Sequence, residues 1–360
     1  MPNFTGTLNA NEIFAGIYNM IISQEVFADN IYDTKASLVD MSRVDGGLYG
    51  DTKLYYATDA LKSTKWGNDA EATNLLKLNR PASPKCQAIE LDNFRQISLT
   101  VDNYLTKRAW ATEGAFASFN SIMLGWIRDT KRIYDSTTFN AYIGTAQSTV
   151  GKQTITVTLP TDTNAEAQAR LRAQTIAKEM SNLLVNLEDV SRDYNDYGFI
   201  RSYNSDSLIA VWNADAVNEI TKMDVPTIFH KDNLINKLGE YTLPARYFGD
   251  VNTGAKEGDG STVRSLIEQD ITKASNPDVH VFAGDLIPGG YTAPAGTSYT
   301  VNPKILFKVI HKRSVPYMSA FEVGTSFFNA KSLTENHYLT WGHNTIEYLK
   351  NYPMITVKSN

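Results

Sequence analysis

Asp193, Asn195 and Gly198 occupy positions one, three and six of a calcium-binding loop. That spacing would gather oxygen ligands around a hard cation. Position five is Tyr197 and position twelve is Asn204. Both departures remove ligands such a site needs, so the segment reads as a turn. The histidines are His230, His280, His311, His337 and His343, and none pairs at i, i+4. Without that helical metal-site spacing they read as structural. Cys86 is the only cysteine, so no intrachain disulfide can form, and a reactive thiol would need a depressed pKa. Glu188 and Asp189 could act as general acid and base only inside a cleft; on a helix surface they are a solvated pair. Arg128, Lys131 and Arg132 could meet nucleic-acid phosphate or pair with Asp129 and Asp135. The sequence has no P-loop, no nucleotide-binding glycine triplet and no zinc-protease helix motif. No residue is assigned a catalytic, cofactor-binding or metal-binding role, and the expectation is a chain that is not an enzyme and carries no cofactor.

The element that organises the chain is a strand running into one long helix. Ile97, Leu99 and Val101 alternate with Ser98, Thr100 and Asp102, the period of a half-buried strand. Beyond Lys107 and Arg108 the period becomes helical: Phe116, Phe119, Met123, Trp126 and Ile133 form a stripe, with Thr130 in its gap. Asp129 with Arg132 and Lys131 with Asp135 are spaced to pair on the exposed side. With Thr112 as cap and Gly144 as stop, this helix has roughly 30 residues and spans about 45 Å. Gly114 and Gly125 each cost it about 1 kcal/mol relative to Ala, so packing must hold it. The sequence predicts that it lies against a sheet containing the strand near Ile97 and one within Ile346–Val357, burying the stripe and Trp126 with it.

Ahead of this pair, residues Asn11–Ile22 carry a helical apolar stripe from Ile13 to Ile22. A helix this short must dock, on its own domain or on a neighbouring subunit. Lys53–Ala57 and Ala88–Val101 read as strands. Between them lies a long polar excursion containing Pro81 and Pro84, which in a compact domain implies a task of its own. A two-stranded ribbon is not stable alone in water and needs a supporting surface. Leu54, Tyr55, Tyr56, Trp66, Leu75, Leu76 and Leu78 are the apolar residues such an arm would offer to a neighbouring copy, with Tyr55, Tyr56 and Trp66 as anchors, aromatic side chains being enriched at interfaces. The alternative is an arm that folds back and buries them on its own domain. After the long helix come a strand at Thr154–Leu159 and a capping box at Thr163 and Glu166. A second helix follows, with Ala173, Ile176, Met180, Leu183, Leu184 and Leu187 on one face. Leu208–Trp212 reads as a buried strand and Ala214–Met223 as a helix. Val251–Pro303 is rich in Gly and Pro, and reads as loops around a helix near Val263–Ile271 and a strand at Val279–Phe282. Ile305–Ile310 and the segment Tyr338–Val357 are strand-like.

Composition sets the limits. At 360 residues the chain can hold two or three domains, and 20% charged with 11% aromatic residues describes a folded protein. The formal charge of −5 gives no electrostatic case for a nucleic-acid binder and suits a surface that lies near DNA without sticking to it. The start MPNFTGTLN has neither a basic n-region nor an apolar core, no apolar run reaches membrane-spanning length, and the Asn3 sequon is read as chance.

The order of these features resembles the major capsid proteins of tailed bacteriophages, with the Hong Kong 97-type fold. The helical arm comes first. The polar two-stranded loop near Gly47–Val101 follows, with Phe94–Asp102 as its return strand, then the long helix, and His337-Tyr338-Leu339-Thr340-Trp341-Gly342 onward as a return to the first domain. The resemblance implies an α+β subunit divided into an N-terminal arm (1–46), an extended loop and return strand (47–106), a peripheral domain with a spine helix (107–160), an axial domain (161–317) and a C-terminal return to the peripheral domain (318–360). It implies self-assembly as hexamers and pentamers into an icosahedral head around double-stranded DNA. It also implies a separate scaffolding protein, since the arm begins close to Met1, together with a portal, possible decoration proteins, and no membrane. The location would be the virion capsid, assembled in the host bacterial cytoplasm. Lysine–asparagine crosslinking, known in some members, is not carried over to Lys62, Lys65, Lys77 or Lys85. An encapsulin-type cellular shell is the alternative within the same fold, and a carbohydrate-binding or enzymatic module is the alternative outside it.

Overall fold

The computed structural model describes residues 37–45, 52–63, 78, 80–102, 113–221, 239–253, 271–273, 276–281, 297–302 and 304–360. The helices are α1 (Ser37–Ser42), α2 (Glu113–Thr145), α3 (Ala165–Glu188) and α4 (Ala214–Thr221). The strands are β1 (Arg43–Asp45), β2 (Thr52–Ala57), β3 (Lys85–Asp102), β4 (Thr154–Val157), β5 (Leu208–Asn213), β6 (Gly239–Leu243) and β7 (Gly249–Thr253). They continue with β8 (Ile271–Lys273), β9 (Asn276–Val281), β10 (Thr297–Val301), β11 (Ile305–His311), β12 (Tyr317–Asn329), β13 (Thr334–Asn344) and β14 (Met354–Ser359). The Asn11–Ile22 helix lies outside the described residues, as does the one near Val263–Ile271 except for Ile271, which begins β8.

Two five-stranded sheets carry the architecture, in the orders β1-β12-β13-β3-β2 and β4-β14-β11-β5-β6. A single sheet was expected to hold both the Ile97 strand and the Ile346–Val357 segment. Instead, Tyr338–Val357 divides: β13 pairs antiparallel with β3 in the first sheet, and β14 pairs with β11 and β4 in the second. Helix α2, 33 residues long, serves both. Toward its middle, Ile127 packs on Leu339 and Trp341, with Ile97 and Leu99 beside them. At its C-terminal end, Phe139, Tyr142 and Ile143 pack with Ile209, Val211 and Met354 of the second sheet.

The second sheet is covered on both faces, which is why β5 is buried at every position and reads as a continuous apolar run rather than an alternation. Ile209 and Val211 face α2, while Leu208, Ala210 and Trp212 face α3. The α3 face is the expected one: Ala173, Ile176, Met180, Leu183, Leu184 and Leu187 are all buried. Its cap differs by one residue. Asn164, not Thr163, accepts from the Glu166 and Ala167 amides through its side chain, leaving Asp162 to accept from the Asn164 amide at 2.9 Å.

Three expectations about α2 fail for local reasons. Trp126 is 45% exposed while Ile127 is buried. One residue is about 100° of helix, and an apolar stripe does not say which of two adjoining faces meets the sheet. Asp135 is buried rather than paired on the surface with Lys131, which reaches Glu322 of β12 at 2.7 Å. Gly144 lies inside the helix and does not stop it; a Cβ there would strike the carbonyl of Tyr247, so the glycine permits a close crossing. Past the helix end, the buried Lys308 of β11 donates to the Ala146 carbonyl at 2.6 Å, supplying a cation at the negative end of the helix dipole.

Candidate subunit interface

The ribbon begins with β2 paired antiparallel to the first six residues of β3, from Thr52 opposite Glu90 to Ala57 opposite Lys85. From Leu91 on, β3 changes partner to β13. Alternation gives the ladder two unlike faces. One rests on the chain itself: Ala57 and Ile89 are buried and Tyr55 is half-buried. Gln87 donates to the Tyr348 carbonyl at 3.0 Å and accepts from the Lys350 amide at 3.0 Å. The other face carries Leu54 and Tyr56, 53% and 66% exposed, with the exposed Cys86 opposite Tyr56. The surface that a marginal ribbon requires is therefore provided on one side by the subunit's own body. Of the expected anchors, Tyr56 is presented outward, Tyr55 turns toward its own chain, and Trp66, Leu75 and Leu76 lie outside the described residues.

Where β2 ends, the chain is held by a loop from the other half of the molecule. Asp59 accepts from the Ile200 amide at 3.0 Å and from the Arg192 guanidinium at 2.7 Å. Arg201 donates to the Thr58 carbonyl at 2.6 Å. The Ile200 amide and the Arg192 guanidinium hold the Asp59 carboxyl down at about 2. The loop is itself braced. Gly198 adopts a left-handed φ of 64°, and the Asn195 side chain both donates to and accepts from the Phe199 backbone, at 2.7 and 2.8 Å. This is the turn expected in place of a calcium loop, since Asn195 spends its oxygen on an amide. Asp196 fastens the loop to the segments leading into β4 and β14, accepting from Ser148, Gln153 and Tyr348 at 2.7, 2.6 and 2.5 Å.

A second exposed apolar group went unnoticed in the sequence. Phe327, Phe328 and Leu333 are 65%, 52% and 44% exposed at the tip of the β12–β13 hairpin. β1 covers the outer edge of β12 only from Tyr317 to Ser319. The adjacent phenylalanines before Asn329 were the available signal, one facing each side of the sheet. Trp126 and Val323 add exposed apolar surface on the same half of the molecule.

Most of the remaining chemical candidates resolve into structure, while His230 lies outside the described residues. His343 is buried, with Nε2 3.0 Å from the Tyr134 hydroxyl and Nδ1 2.9 Å from the Asn344 carbonyl. The carbonyl can only accept, so Nδ1 carries the proton and Nε2 accepts from Tyr134. His311 stacks on Tyr352 at 4.3 Å, and burial beside Arg313 and Lys312 lowers it to about 4. His337 lies 3.9 Å from Glu335. Glu188 and Asp189 are exposed. Among the described residues no group of three or more His, Cys, Asp or Glu could hold a metal, and no helix is long and apolar enough to cross a membrane. A groove of about 540 Å³ between α2 and the hairpin is lined by Ile127, Arg128, Glu322, His337 and Tyr338, among others.

A family model for the Phi29-like phage major capsid protein matches residues 5–356. Three solved structures share the fold. The capsid structure of Staphylococcus phage Andhra aligns with a TM-score of 0.63 at 11% identity, covering 100% of this chain and 88% of that one. A chain in the structure of head fiber and inner core protein gp22 of native bacteriophage P68 aligns at 0.64 and 12% identity, covering 94% and 87%. The asymmetric unit of the bacteriophage PhiM1 mature capsid aligns at 0.52 and 10% identity, covering 94% and 91%. No curated protein matches the chain.

Proposed function

The chain belongs to the Phi29-like phage major capsid protein family and is a structural subunit of a phage head, and from that premise we propose how it is used. The family match over nearly the whole chain is the observation that carries the reading. It decides for the phage head over the encapsulin shell and over the carbohydrate-binding or enzymatic module. The subunit assembles with copies of itself, as hexamers and pentamers closed into an icosahedral head around double-stranded DNA. Assembly takes place in the host bacterial cytoplasm, on a separate scaffolding protein and around a portal. The subunit is catalytically silent and binds no cofactor.

Within the subunit, residues 107–160 with 318–360 act as the peripheral domain and 161–317 as the axial domain, with 1–46 as an arm and 47–106 as the extended loop. The two unlike faces of the β2–β3 ladder support this reading. One face is satisfied internally, and the other keeps Leu54 and Tyr56 in solvent, which suits a contact completed by a neighbour. Tyr56 is the strongest described anchor, with Trp66, Leu75 and Leu76 extending the contact and Tyr55 supporting from behind. Weak contacts repeated by symmetry give a stable shell.

The test replaces residues 61–83 by a short Gly-Ser turn, leaving the docked ladder intact, and images the product by negative-stain electron microscopy beside the unaltered chain. A cooperatively melting subunit that no longer forms shells is expected. Normal shells from the replacement would overturn the interface reading. A metal found at one per chain by elemental analysis would overturn the claim of a cofactor-free structural role.

A further inference from the structure

The first sheet is unlike on its two sides. Residues directly opposite on neighbouring strands share a face. On the side away from α2, Gln96, Ser98 and Thr100 of β3 stand in line with residues of β13 and β12, none of which is charged. Gln96 donates to Thr340 there at 2.9 Å, and Thr100 to Asn336 at 2.6 Å. The α2 side carries the charge, and most of it is engaged. Lys131 is paired with Glu322, His337 lies beside Glu335, and Arg95 stands over the Tyr134 ring at 5.3 Å. Arg128 and Arg132 are exposed, and among the described residues neither meets a carboxylate. Asp129, spaced to pair with Arg132, keeps its Oδ2 buried without a partner, and Asp135 is taken by Tyr317 and Arg43. Internal pairing thus accounts for Lys131 and leaves the two arginines over.

About 6 Å of helix separates Arg128 from Arg132, and Gly125 continues the same flank, at i, i+3 and i+7. Nothing lies within 4 Å of a Cβ built on Gly125, so a bulky polyanion can come close to the helix beside both guanidinium groups. Arg128 also borders the groove between α2 and the hairpin, where Ser326 and His337, opposite one another on β12 and β13, line the sheet side. Glu322 in the same groove is answered by Lys131. Guanidinium and hydroxyl donors on one open flank suit phosphate oxygens. We propose that the α2 side of the first sheet is the side turned toward packaged DNA, with Arg128 and Arg132 meeting its phosphates. This rests on the reading of the chain as a head subunit around double-stranded DNA, and adds which surface looks inward. The formal charge of −5 keeps the chain as a whole from adhering to DNA. Contact through two cations per subunit is weak, indifferent to base sequence and repeated over the shell.

The experiment has two arms. The first titrates the free full chain against a fluorescent DNA duplex, read by anisotropy from about 20 to about 100 mM salt, where the screening length falls from roughly 20 to roughly 10 Å. Arg128→Gln/Arg132→Gln should weaken binding about tenfold at the low-salt end and lower the log–log salt slope by about 2. Arg170→Gln/Arg313→Gln removes the same charge from arginines exposed elsewhere and should leave the slope unchanged. No binding by the unaltered chain, or equal losses in the two double variants, would overturn the inference. The second arm uses closed shells of the full chain carrying Arg132→Cys and Cys86→Ser. A maleimide on a polymer too large to enter a shell should label the free subunit and spare the shell, while a small maleimide labels both. Polymer labelling of intact shells would put the flank outside, and failure of the small reagent would put it in a contact between subunits; either result overturns the inference. Failure of the underlying head reading shows separately, as an unaltered chain that forms no closed particle, with the duplex titration still read on the free subunit.

Discussion

The Tyr317 hydroxyl donates to the Asp135 carboxylate at 2.6 Å, in a position where solvent reaches 1% of the Asp135 side chain. Arg43 approaches the other oxygen at 3.3 Å, so β1 and β12 meet α2 through one buried charge. Burial pushes the Asp135 carboxyl up, against the downward pull of Tyr317, Lys131 and Arg43. Its proton is therefore held more tightly in the folded chain than in the unfolded one. Between the ordinary carboxylate value of 3.8 and the raised folded value, this residue makes stability fall as pH rises. Relative to Asp135→Asn, the unaltered chain should lose melting temperature as pH rises above about 4; parallel pH profiles for the two proteins would contradict this. Tyr317→Phe removes a hydrogen bond to a charge and should cost about 1.5–3 kcal/mol, read by denaturant unfolding.

The two tryptophans flanking the helix–sheet contact should behave oppositely. Trp341 is 2% exposed and meets Tyr134 edge-on at 5.6 Å. Trp341→Ala should cost the free subunit about 3–5 kcal/mol. Trp126→Ala should cost roughly 0.5 kcal/mol or less, as an exposed position does. Equal melting shifts for the two variants would show that the face of α2 has been assigned wrongly.

Two glycines in α2 offer a sharper contrast. Nothing lies within 4 Å of a Cβ built on Gly125, so Gly125→Ala should stabilise by up to about 1 kcal/mol through helix propensity. The same change at Gly144 drives a methyl into the Tyr247 backbone, where no side chain can swing away. It should lower the melting temperature despite the better propensity.

The Asp59 tether should resist mild acid. Its carboxyl is depressed to about 2, first by the Ile200 amide and then by Arg192. A depressed carboxylate contributes above its unfolded value and is lost only as pH falls through its folded one. A nitroxide label at position 61 (Leu61→Cys in a Cys86→Ser background) should keep one spectrum from pH 7 to pH 4 and loosen only toward pH 2. Loosening near pH 4 would mean that the carboxylate is not held as described.

Much of this architecture can be read from residue types. The α3 face and the buried β5 run follow from apolar spacing alone, because each meets a continuous apolar surface. The long helix is legible in its length but not in its phase: Trp126 and Ile127 are neighbours in sequence and stand on opposite sides of the boundary between solvent and core. Asp135 is illegible for a related reason. At i, i+4 from Lys131 it has the spacing of a surface pair, and only the approach of Tyr317, 182 residues later, makes burial tolerable. The Asp59–Ile200 contact, between residues 141 apart, leaves no local signature at all, and spacing alone does not tell that the β12–β13 hairpin carries Phe327 and Phe328 out into solvent.

The 18 residues of β3 have a mechanical consequence. Eleven of them are bonded to β13 in antiparallel register, and six more to β2. A pull along the strand must shear these bonds together, whereas a pull across it would peel them one at a time. Tension in a filled shell that runs along β3 would therefore load these two ladders in shear. The three-residue pairing of β1 with β12 is the short link that should give way first under the same load.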